Sequence, residues 1–279
     1  MPNQAEPDRS SRDTPSERIL ALQVSAGAPS SDLASACRRA VEAGFDGVEW
    51  AATLLNRNVD PRARRPADRF PPPTSTGSVA AIRAVCGTAD VDRATLEVAS
   101  LLRGGRKYGA RCLNVALPAS PDDPAGARAD GYQASLNLAF ELLHELRFEA
   151  EQAGVALALE SGTGGTLCSP VELRELVDAA NSWAVGACVD IDTVARLGSP
   201  EDWLATLGRR VHALRVTLHT PAASAGSAGD GPGGRSVDHA AIVRAIERIG
   251  FAGVLIVAGH GAAASILTEA RRWGYVTDR

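Results

Sequence analysis

Short apolar runs alternate with segments of helical periodicity along almost the whole chain of 279 residues. The clearest run, residues 155–159, follows Gly154, ends in Glu160 and is typical of a parallel strand buried on both faces. Eight strand–helix units fit between about residue 19 and the end, which predicts a (β/α)8 TIM barrel. A doubly wound open sheet is the alternative, but no GxGxxG follows the first strand to support it.

Carboxylates stand at the ends of several of these runs. Glu160 ends the run just described, Asp190 ends residues 184–189, and Glu49 lies at the end of a short second strand. In parallel α/β folds the carboxyl ends of the strands carry the sites, so Glu160 and Asp190 predict a metal site or an acid/base pair. The alternative for each carboxylate is a helix cap or a partner for an arginine.

Composition excludes several classes of partner. The net charge is −4 and the arginines are scattered, which argues against nucleic acid. No apolar run approaches the length of a membrane span, so no membrane partner is expected. The five cysteines lie far apart without a CxxC pair, which favours reduced thiols in a cytoplasmic protein.

The chain divides into a tail and one domain. Residues 1–18 are polar and lack a hydrophobic signal region, so we predict a disordered N-terminal tail. Residues 19–279 are predicted to form a single barrel domain. Within it, the Pro/Arg-rich connection at 51–77 is either a functional loop that folds over a site or a disordered surface loop.

Four stretches carry a family resemblance. They are AVEAGFDGVE at residues 40–49, AGVALALE at 153–160, VGACVDID at 185–192, and GPGGRSVD at 231–238, with GFAGVLIV at 250–257 after the last. Their order and spacing resemble the sugar phosphate isomerase/epimerase family, the xylose isomerase-like TIM barrels that also include endonuclease IV. The resemblance runs from about residue 19 to the end of the chain.

The resemblance implies a divalent cation, Mn2+, Mg2+ or Zn2+, held by a Glu, an Asp, a His and a Glu on strands five to eight, with the two glutamates as acid and base. Glu160 and Asp190 match the first two ligands. The strand-seven His falls on Arg215 and the strand-eight Glu on Ala258, while the His of the strand-six motif is Thr193. Because a guanidinium stays charged, Arg215 can replace the charge of the cation; the alternative is a salt bridge without chemistry.

Further polar residues are candidates for the same site. Strand alternation places His219 on the face of Arg215, and His260 lies in a glycine-flanked turn, so either is a displaced ligand, a general acid/base or a loop histidine without a role. Gln23 and Asn114 interrupt apolar strands and, with Glu49, are predicted to bind substrate.

Together these features predict an enzyme that moves a proton next to a carbonyl of a small sugar-like or keto compound, with or without a metal. Glu160 would transfer the proton with His260 or His219, and Arg215 would stabilise an enolate or bind an anionic group. The alternative is a non-catalytic barrel that binds a ligand or a partner. Endonuclease IV-like cleavage needs more strand-end histidines than the chain supplies. A homodimer is compatible with the sequence.

Overall fold

The structure is a computed structural model that describes residues 18–23, 30–53, 79–86, 91–117, 132–162, 167–218, 237–259 and 262–276. Eight strands close into a barrel in which each strand pairs with its neighbours in chain order. All eight pairings are parallel, which confirms the predicted (β/α)8 barrel. The strands are β1 Ile19–Gln23, β2 Gly47–Thr53, β3 Val79–Val85, β4 Cys112–Ala116, β5 Ala156–Glu160, β6 Val185–Asp190, β7 Val211–Leu218 and β8 Val254–Gly259.

Helices pack around the barrel and bury their apolar faces against the strands. The α-helices within the described residues are α1 Ser30–Ala43, α2 Val91–Lys107, α3 Tyr132–Ala153, α4 Pro170–Ala180, α5 Ile191–Leu197, α6 Pro200–Leu207, α7 His239–Arg248 and α8 Ala263–Arg272. Two of them begin with a serine cap followed by proline: Ser169 accepts from the Val171 N–H, and Ser199 from the Asp202 N–H.

Three details concern the boundaries of elements. Helix α5 follows β6 directly, with no connecting residue between Asp190 and Ile191. Strand β2 continues to Thr53, so the first residues of the predicted 51–77 connection are strand. Of the predicted tail, Arg18 is described, and its Nε donates to the carbonyl of Phe251 at 3.2 Å. Residues 1–17 and 54–78 lie outside the described residues.

The barrel interior below the mouth is lined by small side chains. Because side chains alternate along a strand, every second residue of each strand faces inward. One cluster of buried strand residues is composed mainly of alanines and cysteines: Ala21, Ala80, Ala81, Cys112, Ala158, Cys188, Ala213, Val254 and Ile256. This lining leaves room above it for long polar side chains that cross the barrel.

None of the helices that the structure describes is long and apolar enough to cross a membrane. The five cysteines are not in disulfides; four of them are buried and Cys168 is partly exposed. Burial raises the pKa of Cys86 to about 12, and desolvation likewise raises the pKa of Cys112 and Cys188. The buried thiols therefore remain protonated at neutral pH.

Candidate active site

Arg215 lies at the centre of a polar cluster in the barrel. Its Nη2 lies 2.6 Å from Oε1 of Glu49, on the opposite side of the barrel. Its Nη1 lies 3.1 Å from Oε1 of Glu160 and 3.3 Å from Oδ2 of Asp190. The side chain of Arg215 is only 4% exposed, so one buried guanidinium ties together carboxylates from three strands.

A second arginine, Arg83 on β3, pairs with Glu160 from the other side. Its Nε donates to Oε2 at 2.7 Å and its Nη2 donates to Oε1 at 2.6 Å, a bidentate arrangement. Arg83 is not among the site residues predicted from the sequence. The signal was present, because a charged residue interrupts the apolar strand β3 as Asn114 interrupts β4, and the two are in register.

Glu49 is held by a chain of buried hydrogen bonds. The amide of Asn114 donates to Oε1 of Glu49 at 3.0 Å, and the thiol of Cys112 donates to Oδ1 of Asn114 at 3.1 Å. Glu49 and Asn114 are 1% and 0% exposed. Through this chain the thiol of Cys112 orients the amide of Asn114, and the amide orients the carboxylate of Glu49.

Asp190 has two roles in the structure. It is the N-cap of α5, where Oδ1 accepts from the backbone N–H of Thr193 at 2.9 Å. Its other carboxylate oxygen, Oδ2, accepts from Arg215. Its backbone N–H donates to the hydroxyl of Ser161, the residue after Glu160. Helix cap and arginine partner were the alternatives left open for Asp190, and the structure has both.

The ion pairs set the protonation of Glu160. Burial alone would raise its pKa, but the hydrogen bonds from Arg83 and the charges of Arg215 and Arg83 outweigh burial and lower the pKa. The pKa of Arg83 is raised, chiefly by its hydrogen bonds to Glu160. Three carboxylates therefore face two guanidinium groups, and the fully ionised cluster carries one net negative charge.

These side chains do not fit a divalent cation. A cation needs several converging oxygens with free lone pairs, but the oxygens of Glu160 and Asp190 point to the Nη1 of Arg215. No group of three or more His, Cys, Asp or Glu side chains within the described ranges could hold a metal. The two carboxylates predicted as ligands thus come together, but around an arginine.

The other residues predicted for the site do not hydrogen-bond to the cluster carboxylates in the described part of the structure. Gln23 ends β1, in register with Glu49, and is partly exposed at the mouth. His219 and His260 lie outside the described residues. Ala258, at the position of the missing strand-eight glutamate, is buried in β8 beside Thr217 of β7.

Residues 37–275 match a family model described as a xylose isomerase-like TIM barrel. No curated protein matches the sequence.

Solved structures with the same fold are remote in sequence. A 3-keto-D-glucoside 4-epimerase from E. coli is 14% identical, with a TM-score of 0.65 over 93% of this chain and 100% of its own. A D-psicose 3-epimerase is 14% identical, with a TM-score of 0.61 over 92% and 96%. A xylose isomerase-like protein from Mycobacterium smegmatis, in complex with magnesium, is 17% identical, with a TM-score of 0.60 over 92% and 95%.

Proposed function

Because the chain belongs to the xylose isomerase-like TIM barrel family, we propose that it is an isomerase- or epimerase-like enzyme that moves a proton next to a carbonyl. The substrate would be a small sugar-like or keto compound. The epimerase names of several structural neighbours support this choice of chemistry. Its single main support in the structure is the cluster in which Arg83 and Arg215 share the carboxylates of Glu49, Glu160 and Asp190.

The proposed enzyme works without a divalent cation. Arg83 and Arg215 together carry two positive charges, as many as one divalent ion, and they contact the carboxylates at the two positions that match family ligands. Guanidinium groups stay ionised at any relevant pH, so this charge does not depend on a dissociable ligand. The positive charge favours the negative charge that develops on a carbonyl oxygen when the neighbouring carbon loses its proton.

Glu160 is the proposed base. It ends β5 at the carboxyl edge of the barrel, where residues of TIM-barrel sites lie. Its side chain is 8% exposed and its orientation is fixed by both arginines. His219 and His260 stay predicted partners for returning the proton, and Gln23, Asn114 and Glu49 stay predicted substrate-binding residues. Asn114 and Glu49 are buried, so we place them beneath the substrate, where Asn114 holds Glu49 and Glu49 holds Arg215.

A non-catalytic barrel that binds a ligand is the second candidate. One observation favours it: both oxygens of Glu160 accept hydrogen bonds from Arg83, and the resulting low pKa makes the carboxylate a weak base. Such a protein would keep the cluster for stability and ligand orientation. The homodimer and the cytoplasmic location stay predictions under either proposal.

Solvent exchange separates the two candidates. Purified protein is incubated with a panel of ketoses and keto acids in deuterated water, with and without a chelator. We expect deuterium at the carbon next to the carbonyl of at least one compound, unchanged by the chelator and abolished by Glu160→Gln. The control is Glu149→Gln, which removes a carboxylate from an exposed ion pair with Arg103 on the helix surface. Binding without exchange would support the non-catalytic barrel, and exchange that the chelator abolishes would contradict the metal-free site.

A further inference from the structure

The two arginines of the cluster differ in their access to solvent. The side chain of Arg215 is 4% exposed and contacts three carboxylates, whereas that of Arg83 is 30% exposed and contacts Glu160 alone among the cluster carboxylates. A ligand at the mouth can therefore reach Arg83 but not Arg215. On this geometry Arg83, rather than Arg215, is placed for the anion-binding role predicted for Arg215.

The part of Arg83 that binds Glu160 has the geometry that suits a ligand anion. Its Nε and Nη2 form the fork that holds both oxygens of the Glu160 carboxylate. The same fork matches a ligand carboxylate or a phosphate-like oxyanion. An anion that takes the fork must displace Glu160 from Arg83.

We propose that Arg83 recognises an anionic group of the ligand, a carboxylate or a tetrahedral oxyanion, and that its capture by the ligand releases Glu160. Glu160 is then held by Arg215 alone through a single contact at 3.1 Å. In the ligand-free protein both oxygens of the base Glu160 accept hydrogen bonds from Arg83, and binding of the substrate anion to Arg83 removes these bonds. Recognition by Arg83 stands on the geometry; the use of the released Glu160 as a base rests on the proposed function.

Release changes the protonation of Glu160. Burial favours the neutral carboxyl group and the arginines favour the charged one, so losing Arg83 raises the pKa of Glu160. The bound anion also adds negative charge to a cluster that already has one more carboxylate than guanidinium groups. Both effects favour proton uptake, so the anion should bind more tightly as the pH falls.

Calorimetric titration with sulfate tests the inference, because sulfate keeps its charge through the relevant pH range. Acetate, in a parallel titration, distinguishes a carboxylate site from an oxyanion site. We expect Glu160→Gln to bind the preferred anion at least about tenfold more tightly than wild type, since a charge-assisted competitor is removed from Arg83. Arg83→Gln should lose binding, Arg83→Lys should weaken it, and Glu149→Gln should leave it unchanged.

The pH dependence gives a second readout. The affinity of the wild type for the anion should rise as the pH falls from neutral. Proton uptake on binding should appear as a binding enthalpy that changes with the ionisation enthalpy of the buffer. Glu160→Gln should show neither effect. Anion binding that Arg83→Gln retains, or that Glu160→Gln fails to tighten, overturns the inference. The proposed function is refuted by a different result. If the anion binds as predicted but no deuterium exchange occurs, the protein is not the proposed enzyme, and Arg83 is still the anion-recognition site.

Discussion

Removing the charge of Arg215 should be among the most destabilising changes that can be made in the barrel. The substitution Arg215→Met keeps an unbranched apolar stem and deletes the guanidinium. Glu160 keeps Arg83, and Asp190, with 17% of its side chain exposed, keeps the Thr193 N–H. Glu49, in contrast, loses its charged partner and stays out of contact with water, because its side chain is 1% exposed.

The loss of stability expected for Arg215→Met follows from the carboxylate of Glu49, which stays buried without its arginine. Without Arg215, the cluster contact left to Glu49 is the Asn114 amide. Breaking a buried ion pair by removing one partner costs about 3–5 kcal/mol. We therefore expect Arg215→Met to lower the free energy of unfolding by about 3–5 kcal/mol at neutral pH. Adding Glu49→Gln should recover about 2 kcal/mol or more, since the neutral amide has no charge to desolvate.

The assay is urea denaturation followed by circular dichroism, with the slope of the transition checked for constancy. Arg210→Met is the matched control, because Arg210 pairs with Asp178 on the surface, with side chains 38% and 49% exposed. An exposed pair contributes about 0–1 kcal/mol, so the control should stay within that range. If Arg215→Met costs no more than Arg210→Met, or if Glu49→Gln recovers nothing, the described cluster is not a coupled buried network.

Three other predictions concern acid stability, thiol reactivity and packing. The pKa of Glu160 is lowered in the folded protein, so its ion pairs contribute stability that is present above the ordinary glutamate pKa of about 4.3 and is lost as the pH falls through the lowered pKa. Acid titration of Glu160→Gln should therefore show less loss of stability below about pH 4 than wild type shows; an identical loss would refute the assignment. Among the five cysteines, Cys168 should react first with a thiol reagent in the native protein, because the other four are buried; fast labelling of Cys112 found by peptide mapping would contradict the buried hydrogen-bond chain. Gly253→Ala should destabilise the protein by about 1–3 kcal/mol or more, because an added Cβ would lie 2.1 Å from the carbonyl oxygen of His212. Gly198→Ala, where no atom lies within 4 Å of the added Cβ, is its control in the same thermal melts; equal melting temperatures would refute the close approach.

The fold was accessible from the sequence because its signals are local. Strands buried on both faces are continuous apolar runs. A serine followed by proline marks the start of a helix, and a glycine marks its end. Helix α5 is harder to recognise in the sequence, because it is seven residues long and begins directly after Asp190, without a linker or a long apolar stripe.

The site was accessible only in part. Strand-end position identifies Glu160 and Asp190 without knowledge of any partner. The Arg83–Glu160 pair spans 77 residues of sequence, and the Arg215–Glu49 pair spans 166. Contacts at such separations depend on barrel closure, which brings inward side chains of distant strands together. Sequence alone could therefore name Glu160, Asp190 and Arg215, but neither Arg83 nor the contact between Arg215 and Glu49.

Metal binding by the wild-type protein is the most direct measurement of the central claim, that arginines take the place of a divalent cation. Purified protein is dialysed against Mn2+, Mg2+ or Zn2+, and bound metal is measured beside Glu160→Gln and Asp190→Asn variants. We predict no stoichiometric metal at the cluster and the same background in all three proteins. One equivalent of metal in the wild type that both variants lose would contradict the claim, because Arg215 could not then remain between Glu160 and Asp190.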